Sequence, residues 1–397
     1  MKILLGLLSS TLLSQLIAFG VMPIVTRYYN AEDLGQLSLF VSFSSILCVF
    51  MTLRYEQAIL IPRDQADADS LFVLTHILIL FFLIVFTLAI AIGFLFDLSG
   101  YWLLLPLSAA CNSLYRLYLS YWNRCSGNSA ISYNVLGYAA FPSLGKLLFI
   151  PFSVSGALIY AVVIGRLVVF LNIYFAVKNS VFWRVGNVTK VMREYSEYPR
   201  SLLLADLINA VSVSLPLILI GWLYSVEELG YFSLAYSVLA LPVVLVCSSV
   251  GMLFKRRLSD LYRNGSEAVI KYYFKTLFSV FAFGVAVFFP LVFWGEWLFI
   301  LVFGDGWGYS GSLAFPMSLL FFMQMLARVL GYAFILVGAQ KENLLVQFFL
   351  LSLLFVIFYV GSFYGVDMYS MTVFYSVVYS FVYLYVVIRP IFFLRGG

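Results

Sequence analysis

Long apolar runs organise this chain. Stretches of twenty or more mostly apolar residues recur near 3–26, 34–61, 71–95, 101–123, 132–152, 156–177, 200–222, 230–254, 272–302, 310–337, 343–364 and 370–393. About 20 such residues, wound as a helix, cross the ~30 Å hydrocarbon layer of a bilayer, so the pattern predicts twelve membrane-crossing helices. A membrane barrel would instead show strands of roughly 10 residues with alternating polarity. The connections average roughly ten residues, which leaves no room for an extramembrane domain. The first run follows Lys2 and continues to Val25 without a small-residue cleavage pattern, which fits a retained helix better than a signal peptide.

Composition narrows the class further. The 397 residues are 63% hydrophobic and 10% charged, with a mean hydropathy of +1.03. That is too few charges to cover a water-soluble domain of this size, and too apolar for disorder, collagen or a coiled coil. Four cysteines (Cys48, Cys111, Cys125, Cys247) lack C-x-x-C spacing and only one histidine is present. No zinc or haem site, no metal and no catalytic residue is expected, and the cysteines read as small buried hydrophobes. Of the 23 Lys and Arg, 17 fall in alternate loops, the ends and the run edges beside them, one (Arg27) in the other loops, and five at membrane depth. By the positive-inside rule both termini are expected in the cytoplasm.

The chain also repeats itself. EDLGQLSLFVS at 32–42 and EELGYFSLAYS at 227–237 match at six of eleven positions, 195 residues apart. An even number of spans in each half makes the halves parallel repeats, related by an axis along the membrane normal. The expected organisation is therefore an N-terminal six-helix lobe at 1–178, a cytoplasmic linker at 179–199 and a C-terminal six-helix lobe at 200–397. The linker KNSVFWRVGNVTKVMREYSEYPR reads as solvated and partly helical, its basic residues near anionic lipid.

Residues 27–59, RYYNAEDLGQLSLFVSFSSILCVFMTLRYEQAI, carry a family pattern: Arg-Tyr-Tyr, acidic-Leu-Gly, then Arg-x-Glu-x-Ala-Ile. With EYPRSLLLADLINAVS at 197–212 and FGDGW at 303–307, the chain resembles bacterial polysaccharide and O-antigen repeat-unit flippases of the Wzx type. These belong to the multidrug/oligosaccharidyl-lipid/polysaccharide exporter superfamily. The resemblance implies an all-α polytopic fold of two six-helix lobes, V-shaped around a central cavity. It implies a multi-pass protein of the bacterial inner membrane, in O-antigen or lipopolysaccharide biosynthesis. The implied cargo is an undecaprenyl-pyrophosphate-linked oligosaccharide, moved between leaflets by alternating access on an ion gradient. A polysaccharide polymerase and a chain-length regulator are candidate partners beside membrane lipids. No nucleic acid is expected.

Ionisable groups at membrane depth are costly and therefore candidate functional groups. Arg166 lies near the midplane of its run, with Lys146 in the outer half and Arg116 in the inner half. Arg54 and Arg328 lie nearer the inner interface. Ser108, Asn112, Arg116, Ser120 and Asn123 share one helical arc, and so do Asn134, Tyr138, Pro142, Gly145 and Lys146. Pro142 and Gly145 invite a kink. An always-charged, multidentate guanidinium suits a pyrophosphate. Arg116, Lys146, Arg166 and Asn112 are thus the expected cargo-binding residues, with Arg54 and Arg328 at the cytoplasmic mouth. Snorkelling, or pairing of the cations with Glu56 and Asp206, is the plainer alternative.

Asp206 and Glu56 are candidates for coupling to H⁺ or Na⁺, the other alternative being structural pairing with an interior Arg. His76 is a lesser candidate for a proton relay. Tyr115, Tyr118, Tyr121 and Trp122 fit an interfacial belt, with sugar stacking as the alternative. A drug/ion antiporter of the same superfamily would want an apolar, acidic site. A glycosyltransferase or polymerase would want a large outer loop or a metal-binding acidic motif. The D-x-D in DQADAD at 64–69 lies in a basic-side loop and reads as a solvated turn. A purely structural membrane partner would leave the interior charges unexplained. The absence of a G-x-x-x-x-G-K-[ST] loop argues against ATP-driven pumping by this chain alone.

Overall fold

A computed structural model describes residues 2–94, 100–125, 128–152, 154–178, 186–264 and 268–396. Among them there is no strand. The α-helices are α1 (Lys2–Tyr28), α2 (Ala31–Thr52), α3 (Tyr55–Ala58), α4 (Gln65–Phe94), α5 (Leu105–Arg124), α6 (Asn128–Leu148) and α7 (Ala157–Lys178). They continue as α8 (Val188–Glu194), α9 (Leu203–Leu223), α10 (Val226–Arg263), α11 (Ala268–Phe303), α12 (Gly308–Leu330), α13 (Tyr332–Leu336), α14 (Gln340–Phe363) and α15 (Met368–Gly396). The protein is a polytopic, all-α membrane protein. Among the described residues nine helices are long and apolar enough to cross a bilayer by length and composition. Of the other long helices, α1 has a shorter apolar stretch, Leu12–Tyr28, while α5 and α6 carry the polar arcs. Ile77, Leu80, Phe81, Ile84, Leu88 and Ile92 leave a broad exposed apolar strip on α4, a surface suited to lipid rather than water.

The chain divides into two compact units, Met1–Tyr29 with Asp33–Ile218, and Asn30–Glu32 with Leu219–Gly397. In the first, α6 packs against α1 and α7, and α5 against α4 and α7. Glycine permits the close α6–α7 approach. A Cβ built on Gly165 would lie 2.5 Å from Pro142 Cα, and one on Gly145 would lie 2.9 Å from the Ala161 carbonyl oxygen. Leu71, Phe72, Leu117, Tyr118, Tyr121, Val169 and Ile173 form much of a core cluster between α4, α5 and α7. In the second unit α12 packs against α10, α11 and α15, while α14 packs on α15. Ser225 Oγ caps α10 by accepting from Glu228 N at 3.0 Å, and Asp367 Oδ2 caps α15 by accepting from Ser370 N at 3.0 Å.

Several expectations change. The run at 34–61 is broken, because Leu53 and Arg54 adopt left-handed φ values of 46° and 65° between α2 and α3. The DQADAD segment is no solvated turn: α4 begins inside it, and Asp69 is buried, accepting from Tyr121 OH at 2.9 Å and Gln65 Nε2 at 2.8 Å.

The described part of the linker is partly helical and mostly exposed, but it is anchored. Residues 179–185, including Arg184, lie outside the described residues, but Asn187 caps α8 by accepting from Lys190 N. This helix docks on α4: Val191 is fully buried, Lys190 Nζ sits 3.1 Å from Asp67 Oδ2, and Gly186 N donates to Ser70 Oγ at 2.9 Å. Tyr55 OH donates to the Met192 carbonyl at 3.0 Å. Lys190 is held above its ordinary pKa, chiefly by hydrogen bonding to the Asp67 carboxylate.

Candidate functional site

α5, α6 and α7 place the candidate cations in the first unit. Asn112 and Arg116 lie one turn apart on α5, Tyr138 and Lys146 two turns apart on α6, and Arg166 mid-way along α7. Arg166 is held from two helices: its Nη1 donates to Ser108 Oγ at 2.6 Å and to Ser44 Oγ at 3.3 Å. Both serines are fully buried, and Ser44 Oγ donates to Ser108 Oγ at 3.2 Å. The guanidinium carbon also lies 5.9 Å from the Tyr138 ring centre, within reach of a cation–π contact. Tyr138 OH donates to Asn112 Oδ1 at 2.8 Å.

The other two cations lie nearby. Lys146 is within electrostatic range of Arg166, and Arg116 and Arg166 are both within range of Tyr138. Lys146, Arg116 and Arg166 are each partly buried. Among the described residues none of the three is ion-paired with a carboxylate. Their positive charge is therefore gathered in one region and left without an acidic partner.

Arg54 has a different environment. It sits at the α2–α3 break, with Nη1 3.0 Å from Glu56 Oε1 and Nε 2.7 Å from Asp206 Oδ2. The second contact is a close ion pair whose angle falls short of a hydrogen bond. Gln57 Nε2 donates to the same Asp206 oxygen at 3.3 Å. Glu56 is only 3% exposed, and its Oε2 is buried without a hydrogen-bond partner. One cation facing two carboxylates leaves the cluster formally one negative charge in excess, so Arg54 is drawn into an internal network. Arg328, at the last turn of α12 in the second unit, is exposed. His76 Nδ1 donates to the Phe72 carbonyl of its own helix at 2.9 Å.

The serines that hold Arg166 were missed by sequence reasoning as its partners, since they lie 122 and 58 residues away. Ser108 was visible on the polar arc of α5, whereas Ser44 lies in an apolar run with no such signal. Tyr118 and Tyr121, read as belt residues, are core residues packed on Phe72.

Comparison with known proteins follows the same lines. Over 96% of its length the chain is similar to 94% of a multidrug resistance MATE family transporter of the MOP superfamily in an inward-facing conformation, with 13% identity and a TM-score of 0.74. An outward-facing structure of a MATE family transporter aligns over 100% of this chain and 97% of that one, with 14% identity and a TM-score of 0.58. A MOP superfamily transporter from Pyrococcus furiosus aligns over 100% and 96%, with 13% identity and a TM-score of 0.54. No curated protein matches the sequence. A family model described as "Polysaccharide biosynthesis protein" matches residues 24–311. The chain therefore belongs to the polysaccharide biosynthesis protein family and carries the fold of the MATE transporters.

Proposed function

We propose that this protein flips undecaprenyl-pyrophosphate-linked oligosaccharide repeat units, of O-antigen or another surface polysaccharide, across the bacterial inner membrane. Movement is from the cytoplasmic to the periplasmic leaflet by alternating access. The observation that carries this reading is the trio Arg116, Lys146 and Arg166, uncompensated by any carboxylate among the described residues. Interior cations without partners are unfavourable in a membrane protein unless an anion joins them. A pyrophosphate supplies that charge and the acceptor oxygens that a guanidinium binds best. Asn112 adds a polar group, and exposed Arg328 is available to an incoming headgroup.

The same charge disfavours an organic-cation antiporter. The similar Pyrococcus furiosus transporter is itself described as having a binding pocket of reversed polarity that suggests a different function. Coupling is assigned to Asp206 and Glu56, whose excess negative charge beside Arg54 accommodates H⁺ or Na⁺. Charge reversal tests the cargo site. Arg116→Glu and Arg166→Glu, at normal membrane levels, are expected to abolish surface-polysaccharide export, and normal export in both would overturn it. Asp206→Asn is expected to transport without ion dependence.

A further inference from the structure

We propose that Tyr115, Tyr138 and Asn112 form a carbohydrate subsite that reads the first sugar attached to the pyrophosphate, an inference resting on the cargo reading above. The two tyrosine rings stack across α5 and α6 with centres 4.0 Å apart and planes 15° from parallel. The hydrogen bond from Tyr138 OH to Asn112 Oδ1 fixes the orientation of that wall, and Asn112 lies one turn from Tyr115 on the same helix. Arg166 lies over the Tyr138 end of the stack.

This arrangement matches the bond order of the cargo. In a sugar diphosphate the anomeric oxygen links the first ring directly to phosphorus, so a ring bound beside the cations lies one sugar width from the phosphate. A pyranose presents a C–H face to an aromatic wall and a rim of hydroxyls to an amide, and apolar surface with a few placed polar groups is what small-ligand sites offer. The pair differs from the neighbouring tyrosines of α5. Tyr118 and Tyr121 are buried and packed on Phe72. Tyr115 and Tyr138 are partly exposed, and Tyr115 has no second ring partner among the described residues.

The test is a binding comparison on the full-length protein in nanodiscs. The probes are undecaprenyl diphosphate and its N-acetylglucosamine and galactose adducts. The wild type is expected to prefer at least one sugar adduct over the bare diphosphate by about tenfold, the scale of one aromatic or hydrogen-bond contact. Tyr115→Leu is expected to lose that preference while binding bare diphosphate normally, and Tyr138→Leu to lose it with some weakening of bare diphosphate as well, since its ring also faces Arg166. Tyr138→Phe, which keeps the stack and removes only the bond to Asn112, guards against misfolding and is expected to lose part of it. Equal binding of all three probes by the wild type, or full preference in all the tyrosine variants, would overturn the subsite. Arg166→Glu is expected to weaken every probe alike; unchanged diphosphate binding in that variant would overturn the cargo reading instead.

Discussion

Arg54 Nε lies 2.7 Å from Asp206 Oδ2, joining the break between α2 and α3 to the start of α9. These residues are 152 positions apart in the chain, yet both belong to the first compact unit. The pair holds a non-glycine residue in a left-handed conformation, which by itself costs about 1–2 kcal/mol.

Removing one member of such a network leaves charge buried without its partner. Arg54→Ala is therefore expected to destabilise the protein by about 3–5 kcal/mol. The triple variant Arg54→Met, Glu56→Gln, Asp206→Asn is expected to recover most of that loss. Thermal unfolding in detergent, monitored by a fluorescent thiol or tryptophan signal, measures both. A fall in the triple variant as large as in Arg54→Ala would contradict the charge argument.

Two of the contacts between the linker and α4 differ in magnitude. Burying Val191 is worth about 1.5–3 kcal/mol, whereas the exposed Lys190–Asp67 pair is screened by water and adds little. Val191→Asp is thus expected to expose the segment after residue 186 to limited proteolysis, and Lys190→Glu to leave the digestion pattern nearly unchanged.

Helix spacing gives a paired comparison. Gly165→Ala places a methyl group 2.5 Å from the Pro142 backbone, which cannot rotate away, so a loss of about 1–3 kcal/mol is expected. A Cβ on Gly20 would meet nothing within 4 Å, and Gly20→Ala is expected to be neutral or stabilising. Melting temperatures of the two variants decide it.

Hydrogen bonding from Ser370 holds the Asp367 carboxyl below its usual pKa. A depressed folded-state pKa contributes stability above the unfolded value, and that contribution is lost as pH falls through the folded one. Asp367→Ala is expected to cost about 1 kcal/mol near neutral pH. Its melting temperature should converge with the wild type's as the pH drops below about 3.9, the ordinary aspartate value. A gap that persists in acid would assign the effect to something other than the ionised cap.

The helical class, the long spans and the polar arcs of α5 and α6 were legible in the sequence because each is a one-dimensional pattern. Distances across the chain were not. Nothing in the run holding Ser44 announces that Arg166 bonds to it, whereas the pairing of Arg54 with Glu56 and Asp206 is one of the alternatives that scarce interior charges suggest. Val191 is a single buried residue in a polar stretch, too little to produce a periodicity. α10 and α11 continue past their apolar stretches, to Arg263 and from Ala268, because Lys, Arg, Leu and Tyr sustain a helix outside the hydrocarbon. The tyrosines of α5 divide between core and partly exposed positions, a distinction that composition cannot make.

The polarity of α5 and α6 also bears on how the protein is made. A basic residue at the centre of a span adds about 2.5–3.5 kcal/mol to its insertion free energy, so α5 with Arg116 partitions poorly as a single segment, and α6 carries a polar arc with Lys146 in its last turn. The glycine contact that brings α6 against α7 supplies the remedy, since α7, apolar enough to cross a bilayer despite Arg166 at its middle, emerges next from the ribosome. Integration of α5 and α6 then depends on the synthesis of α7, and a nascent chain stopped before residue 157 would leave both helices outside the bilayer.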